Sequence, residues 1–127
     1  MKLVMLVLFL TSITVTAQNT SCRTIKNGTF KYLDSRSNEI IVKRRDSIQI
    51  DSSKSENFWF KSKVNWTSEC DYQLTIVEVN DSSFDLILGK TFEFEIIDIK
   101  GNQVRLKTRT LNKLKESIRS MQIIETN

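Results

Sequence analysis

The stretch VNWTSECDYQLTIV, residues 64–77, holds two runs of alternating apolar and polar side chains joined through Ser68, Glu69, Cys70 and Asp71. Val64 and Trp66 share one phase of the first run, and Tyr72, Leu74 and Ile76 share one phase of the second, opposite Gln73 and Thr75. A period of two is the signature of a half-buried β-strand, so the stretch reads as two antiparallel strands with a cysteine at their joint.

The same period extends in both directions. Phe58 and Phe60 stand in phase with Val64 and Trp66 over residues 57–67, while Lys61, Lys63, Asn65 and Thr67 take the other side. Phe92, Phe94 and Ile96 alternate with Glu93 and Glu95; the phase then slips, so that Ile97 and Ile99 flank Asp98, as a β-bulge permits. Gly101-Asn102 separates that run from one in which Val104 and Leu106 alternate with Arg105 and Lys107, a strong hairpin signal.

The first half of the chain fits the plan with less regularity. Asn27-Gly28 opens a run containing Phe30 and Tyr32, and a polar turn is expected over residues 34–38. Two short strands follow, one with Ile40 and Val42 in phase and one with Ile48 and Ile50 in phase. Residues 82–88 read as a helical turn or a short strand. Leu111, Leu114, Ile118 and Met121 have helical spacing, whereas residues 120–125 read as a strand, so a short helical or irregular segment before a closing strand is expected.

Cysteine chemistry depends on the compartment. Lys2 precedes the apolar run 3–10, and Val15 and Ala17 are small residues at the two positions that set cleavage after Ala17; residues 1–17 therefore read as a secretory signal peptide. The apolar run is far short of the roughly 20 residues that span a bilayer, so no transmembrane segment is expected after cleavage. The mature domain, 18–127, holds 110 of the 127 residues, with 18 basic and 15 acidic side chains. That is one domain's worth of chain. Cys22 and Cys70 are the only cysteines, and export places them where a pair closes into a structural disulfide. Such a bond would pin the new N-terminus to the joint between two strands.

Seven to eight strands with short turns, no proline and no repeat indicate an all-β domain: an antiparallel up-and-down barrel or strongly curved, lipocalin-like meander, with a two-sheet sandwich as the alternative. The motifs CRTIKNGTFKY, residues 22–32, and VNWTSECDYQLT, residues 64–75, together with RDSIQID, residues 45–51, resemble a group of small exported flavobacterial proteins of unknown function. The resemblance implies a paired Cys22 and Cys70 and no particular activity. Some members of that group carry a DNA topoisomerase label, but 110 residues cannot hold a strand-cleaving tyrosine domain, an acidic metal cluster and an ATPase.

The composition narrows function mainly by exclusion. With no histidine, the usual general base, triad member and metal ligand are missing, and no metal or other cofactor is expected. Glu93 and Glu95 share an outward strand face rather than a cleft, and Ser62 and Lys63 point to opposite faces, so the domain reads as non-catalytic. Basic residues are scattered among acids, which disfavours a nucleic-acid partner; the cluster Lys43-Arg44-Arg45 could meet a phosphate or an anionic envelope polymer, but reads better as a solvated turn with Asp46 as counter-charge. The aromatic set Phe58, Phe60, Trp66, Tyr72, Phe92 and Phe94 is either the filled core of a small barrel or the lining of a ligand cavity. Two functional expectations follow: an exported (periplasmic, envelope-associated or secreted) barrel binding a small apolar ligand, or a cell-envelope accessory protein without a cavity.

Overall fold

In the computed structural model, which describes residues 21–33, 39–110 and 115–126, eight antiparallel strands form a closed barrel in simple sequence order. They are β1 (Gly28–Tyr32), β2 (Ile41–Arg45), β3 (Ile48–Ser53), β4 (Phe58–Trp66), β5 (Asp71–Val79), β6 (Thr91–Lys100), β7 (Gln103–Thr110) and β8 (Glu116–Thr126). Each strand pairs with its neighbour in sequence, and β1 pairs with β8, so every strand has partners on both sides and the barrel has no free edge. The expected signal peptide, the polar turn at 34–38, and Leu111 and Leu114 lie outside the described residues.

Alternation along the strands sorts side chains into a packed interior and a solvated exterior. Phe30, Tyr32, Val42, Val64, Tyr72, Leu74, Phe94, Ile96, Val104, Leu106 and Met121 pack into one buried cluster. The β6–β7 hairpin turns on Gly101-Asn102, with Lys100 opposite Gln103, and Gly101 alone of the two takes a positive φ, +58°, as the first central residue of a type II′ turn does. The phase slip in β6 is a bulge: Ile96 faces Leu106 and Asp98 faces Arg105, which leaves Ile97 as the extra residue. A second irregularity, between Lys61 and Ser62 of β4, gives the extra residue to β5 at Val77 and turns it outward.

A 3₁₀ turn, Cys22–Ile25, covers one end of the barrel, the base, and drives Ile25 into the core. Cys22 and Cys70 are disulfide-bonded across 48 residues of sequence, and Cys70 sits on the β4–β5 joint at the same end. Glu69 adds to the tie by accepting a hydrogen bond from the Ser21 hydroxyl at 2.7 Å. Gly28, which opens β1, has φ +150°, and a Cβ there would stand 2.4 Å from the Glu125 carbonyl oxygen and 3.2 Å from the Phe30 ring. Glycine is required where the Phe30 ring folds back over the backbone. A second 3₁₀ turn, Ser82–Ile87, lies toward the other end, the mouth, so residues 82–88 are a helical turn rather than a strand.

Two expectations need correction. The helical spacing of Ile118 and Met121 does not produce a helix: both lie on β8, which runs as a strand from Glu116. Positions three apart on a strand fall on opposite faces, so Ile118 is exposed while Met121 is fully buried, and pairing with both β7 and β1 decides the conformation. Arg44 is not part of a solvated turn. It is 2% exposed, inside the barrel, because it continues the inward phase of Val42 to the end of β2.

Candidate functional site

The barrel interior is the candidate site, and the strand register builds it row by row. Near the base, Arg44 faces Gln49 across β2 and β3, and Gln49 faces Ser62 of β4. One layer higher, Val42 faces Asp51, which faces Phe60. The inward phase of β3 is therefore polar, Gln49, Asp51 and Ser53, while Ile48 and Ile50 turn outward.

These polar groups form a chain. Arg44 donates from Nη1 to the Ile25 carbonyl at 3.1 Å and from Nε to Gln49 Oε1 at 2.9 Å; Gln49 Nε2 then donates to Asp51 Oδ1 at 2.7 Å. The guanidinium lies 4.4 Å from the Tyr72 ring centre and 5.5 Å from those of Phe30 and Trp66. Its remaining terminal nitrogen, Nη2, is buried and meets no acceptor with hydrogen-bonding geometry. On β8, Arg119 spreads its guanidinium 3.8 Å over the Tyr32 ring.

Electrostatics follows from this enclosure. Desolvation raises the Asp51 pKa above the usual carboxylate range, against the Gln49 hydrogen bond and the positive charges of Arg44 and Arg119. Burial likewise raises both tyrosines: for Tyr32 the Asp51 charge adds to the rise, and for Tyr72 the charge of Arg44 and a loose hydrogen bond from it oppose the rise. Both phenols are held neutral, so they can donate hydrogen bonds.

The six aromatic residues singled out from sequence do not form one wall. Trp66, Tyr72 and Phe94 stack in series near the base, with centroid distances of 4.8 and 5.0 Å, and Lys26 of the plug lies 5.1 Å over the Trp66 ring. Phe92 is partly buried against the same core. Phe58 and Phe60 form a separate group toward the mouth, 4.9 Å apart, completed by Phe84 of the second 3₁₀ turn at 5.6 and 5.0 Å. Sequence reasoning missed Phe84, Gln49, Asp51 and Arg119, and placed Arg44 in solvent. The signal for most of them was phase: Arg44 lies two residues beyond Val42, Asp51 alternates with Ile50, and Arg119 precedes Met121 by two.

Outside the barrel, a groove of about 410 Å³ crosses β5 to β8. Glu93 and Glu95 face it, as their outward phase implies, and pair with Arg109 and Lys107; Lys107 also reaches Glu116 at 3.8 Å. Its two cations are thus held by three of its four carboxylates, and with Asp71 the groove carries a net negative charge. Among the described residues, no group of His, Cys, Asp or Glu has a metal-binding arrangement, and no helix is long and apolar enough to cross a membrane.

Fold and interior together define a small, disulfide-stapled, closed antiparallel β-barrel with a buried polar cluster beneath an aromatic group. No protein-family model matches the chain, and neither a curated protein nor a solved structure matches it.

Proposed function

We propose that this is an exported, non-catalytic barrel that carries a small, largely apolar molecule in its interior. The observation that carries the reading is the division of the inward face. The aromatic stack at the base belongs to the packed core, whereas Phe58, Phe60 and Phe84 form a separate group toward the mouth. An aromatic group toward one end of a barrel interior, above a few converging polar groups, has the composition of a small-molecule site. Export is supported by the signal-like residues 1–17 and by the Cys22–Cys70 bond, since such bonds persist in oxidising compartments.

The envelope accessory reading draws on the external groove over β5 to β8. It takes second place because the groove's two cations, Lys107 and Arg109, are already engaged by its own carboxylates. Titration with the neutral dye N-phenylnaphthylamine separates the two. The carrier reading expects saturable fluorescence enhancement that Phe60→Ala weakens and Glu93→Gln leaves unchanged. No enhancement with the folded wild type would favour the accessory role.

A further inference from the structure

We propose that the interior recognises a carboxylate, so that the cargo is an amphipathic monoanion such as a medium-chain fatty acid, its head group held by Arg119 with Arg44 beyond it. The inference rests on the carrier reading and specifies its ligand. Three observations lead to it.

The first is charge. Among the described residues, the barrel interior holds two guanidinium groups, Arg44 and Arg119, and one carboxylate, Asp51. Burial disfavours even that carboxylate's negative charge. An excess positive charge in a low-dielectric interior is costly without a counter-ion.

The second is the unmet donor. Arg44 is 2% exposed, and its Nε and Nη1 are committed to Gln49 and Ile25, yet Nη2 is buried with no close hydrogen bond, the guanidinium's contact with the Tyr72 hydroxyl being looser than the other two. Buried donors nearly always find an acceptor, and an anionic oxygen is the strongest available to a guanidinium.

The third is position. Ser117, Arg119 and Met121 are successive inward residues of β8, opposite Thr108, Leu106 and Val104 of β7, and they run from the mouth toward the base. Arg119 is only partly buried and lies flat on Tyr32, with its nitrogens in no hydrogen bond or ion pair among the described residues. A head group that entered past the Thr108 and Ser117 hydroxyls would reach Arg119 before Arg44. Its chain would then lie toward the Phe58–Phe60–Phe84 group.

Calorimetric titration of the oxidised wild type with decanoate and with decanol tests this. A charged hydrogen bond in such a setting predicts decanoate binding about tenfold or more tightly than decanol. Arg119→Gln, which leaves no hydrogen-bond partner orphaned, should bring the two affinities together while the variant's Tm shows it folded. Decanoate binding no tighter than decanol in the wild type would overturn the head-group inference and leave the carrier reading standing. Binding of neither would overturn both. A preference that survives Arg119→Gln would remove Arg119 from the site.

Discussion

Arg44 holds the base of the barrel together from inside, since one guanidinium grips the plug through Ile25 and the third strand through Gln49. Arg44→Met would keep much of the volume and lose every donor, leaving the Ile25 carbonyl, Gln49 and Asp51 without their cation. Loss of a buried charged partner costs about 3–5 kcal/mol, to be read from urea unfolding. Asp51 makes a different prediction. Its folded-state pKa lies above the ordinary 3.8, so the folded protein holds this proton more tightly than the unfolded chain does. Stability should therefore fall as pH rises from about 4 through the raised value. Asp51→Asn lacks that titration, so the wild type should lose stability relative to the variant across this window in urea unfolding at successive pH values. Neither residue was legible from charge pattern, because Lys43-Arg44-Arg45 looks like a solvated cluster when counted as a block. Only strand phase separates the inward Arg44 from its outward neighbours, and phase is decided by pairing with β1 and β3.

Among the elements, the β6–β7 hairpin was the most legible, because Gly101-Asn102 and the slip after Ile96 are local features of the chain. Gly101 has φ +58° with open space around the position of a Cβ, so Gly101→Val would meet backbone strain rather than a clash. A loss of about 1–2 kcal/mol is expected in equilibrium unfolding. The C-terminal strand was less legible. A spacing of three between Ile118 and Met121 suits a helix, but closure of the barrel needs β8 to pair on both sides, and that requirement is not local. The disulfide ties the first 3₁₀ turn to the joint between β4 and β5. In the chain-entropy view, its 48-residue span stabilises the fold by about 4 kcal/mol, and Cys70→Ser should lose about 2–5 kcal/mol, measured against the wild type under non-reducing conditions.

At the scale of the whole molecule, closure surrounds the interior with paired strands, and its two ends differ in character. The base is packed: Trp66 lies on Tyr72, which stacks on Phe94. Trp66→Ala should cost about 3–5 kcal/mol with little change in ligand affinity, because transfer and cavity terms add where a ring fills a core. The inward face toward the mouth carries Phe58 and Phe60 beside Asp51 and Ser53, and substitutions there should trade affinity more than stability. The period-two pattern made the all-β architecture legible, and the six aromatic residues were identified without their grouping. That grouping depends on shear and on a ring from the 3₁₀ turn, Phe84, which strand periodicity does not reveal. An exported, stapled barrel of this kind would carry a small molecule inside. Native mass spectrometry of the protein recovered from the envelope of an exporting bacterial host tests it most directly. The account predicts a chain beginning at Gln18, two hydrogens lighter for the closed disulfide, with a bound small molecule released on activation; a folded, oxidised chain whose native mass carries no cargo, before or after exposure to decanoate and decanol, would contradict it.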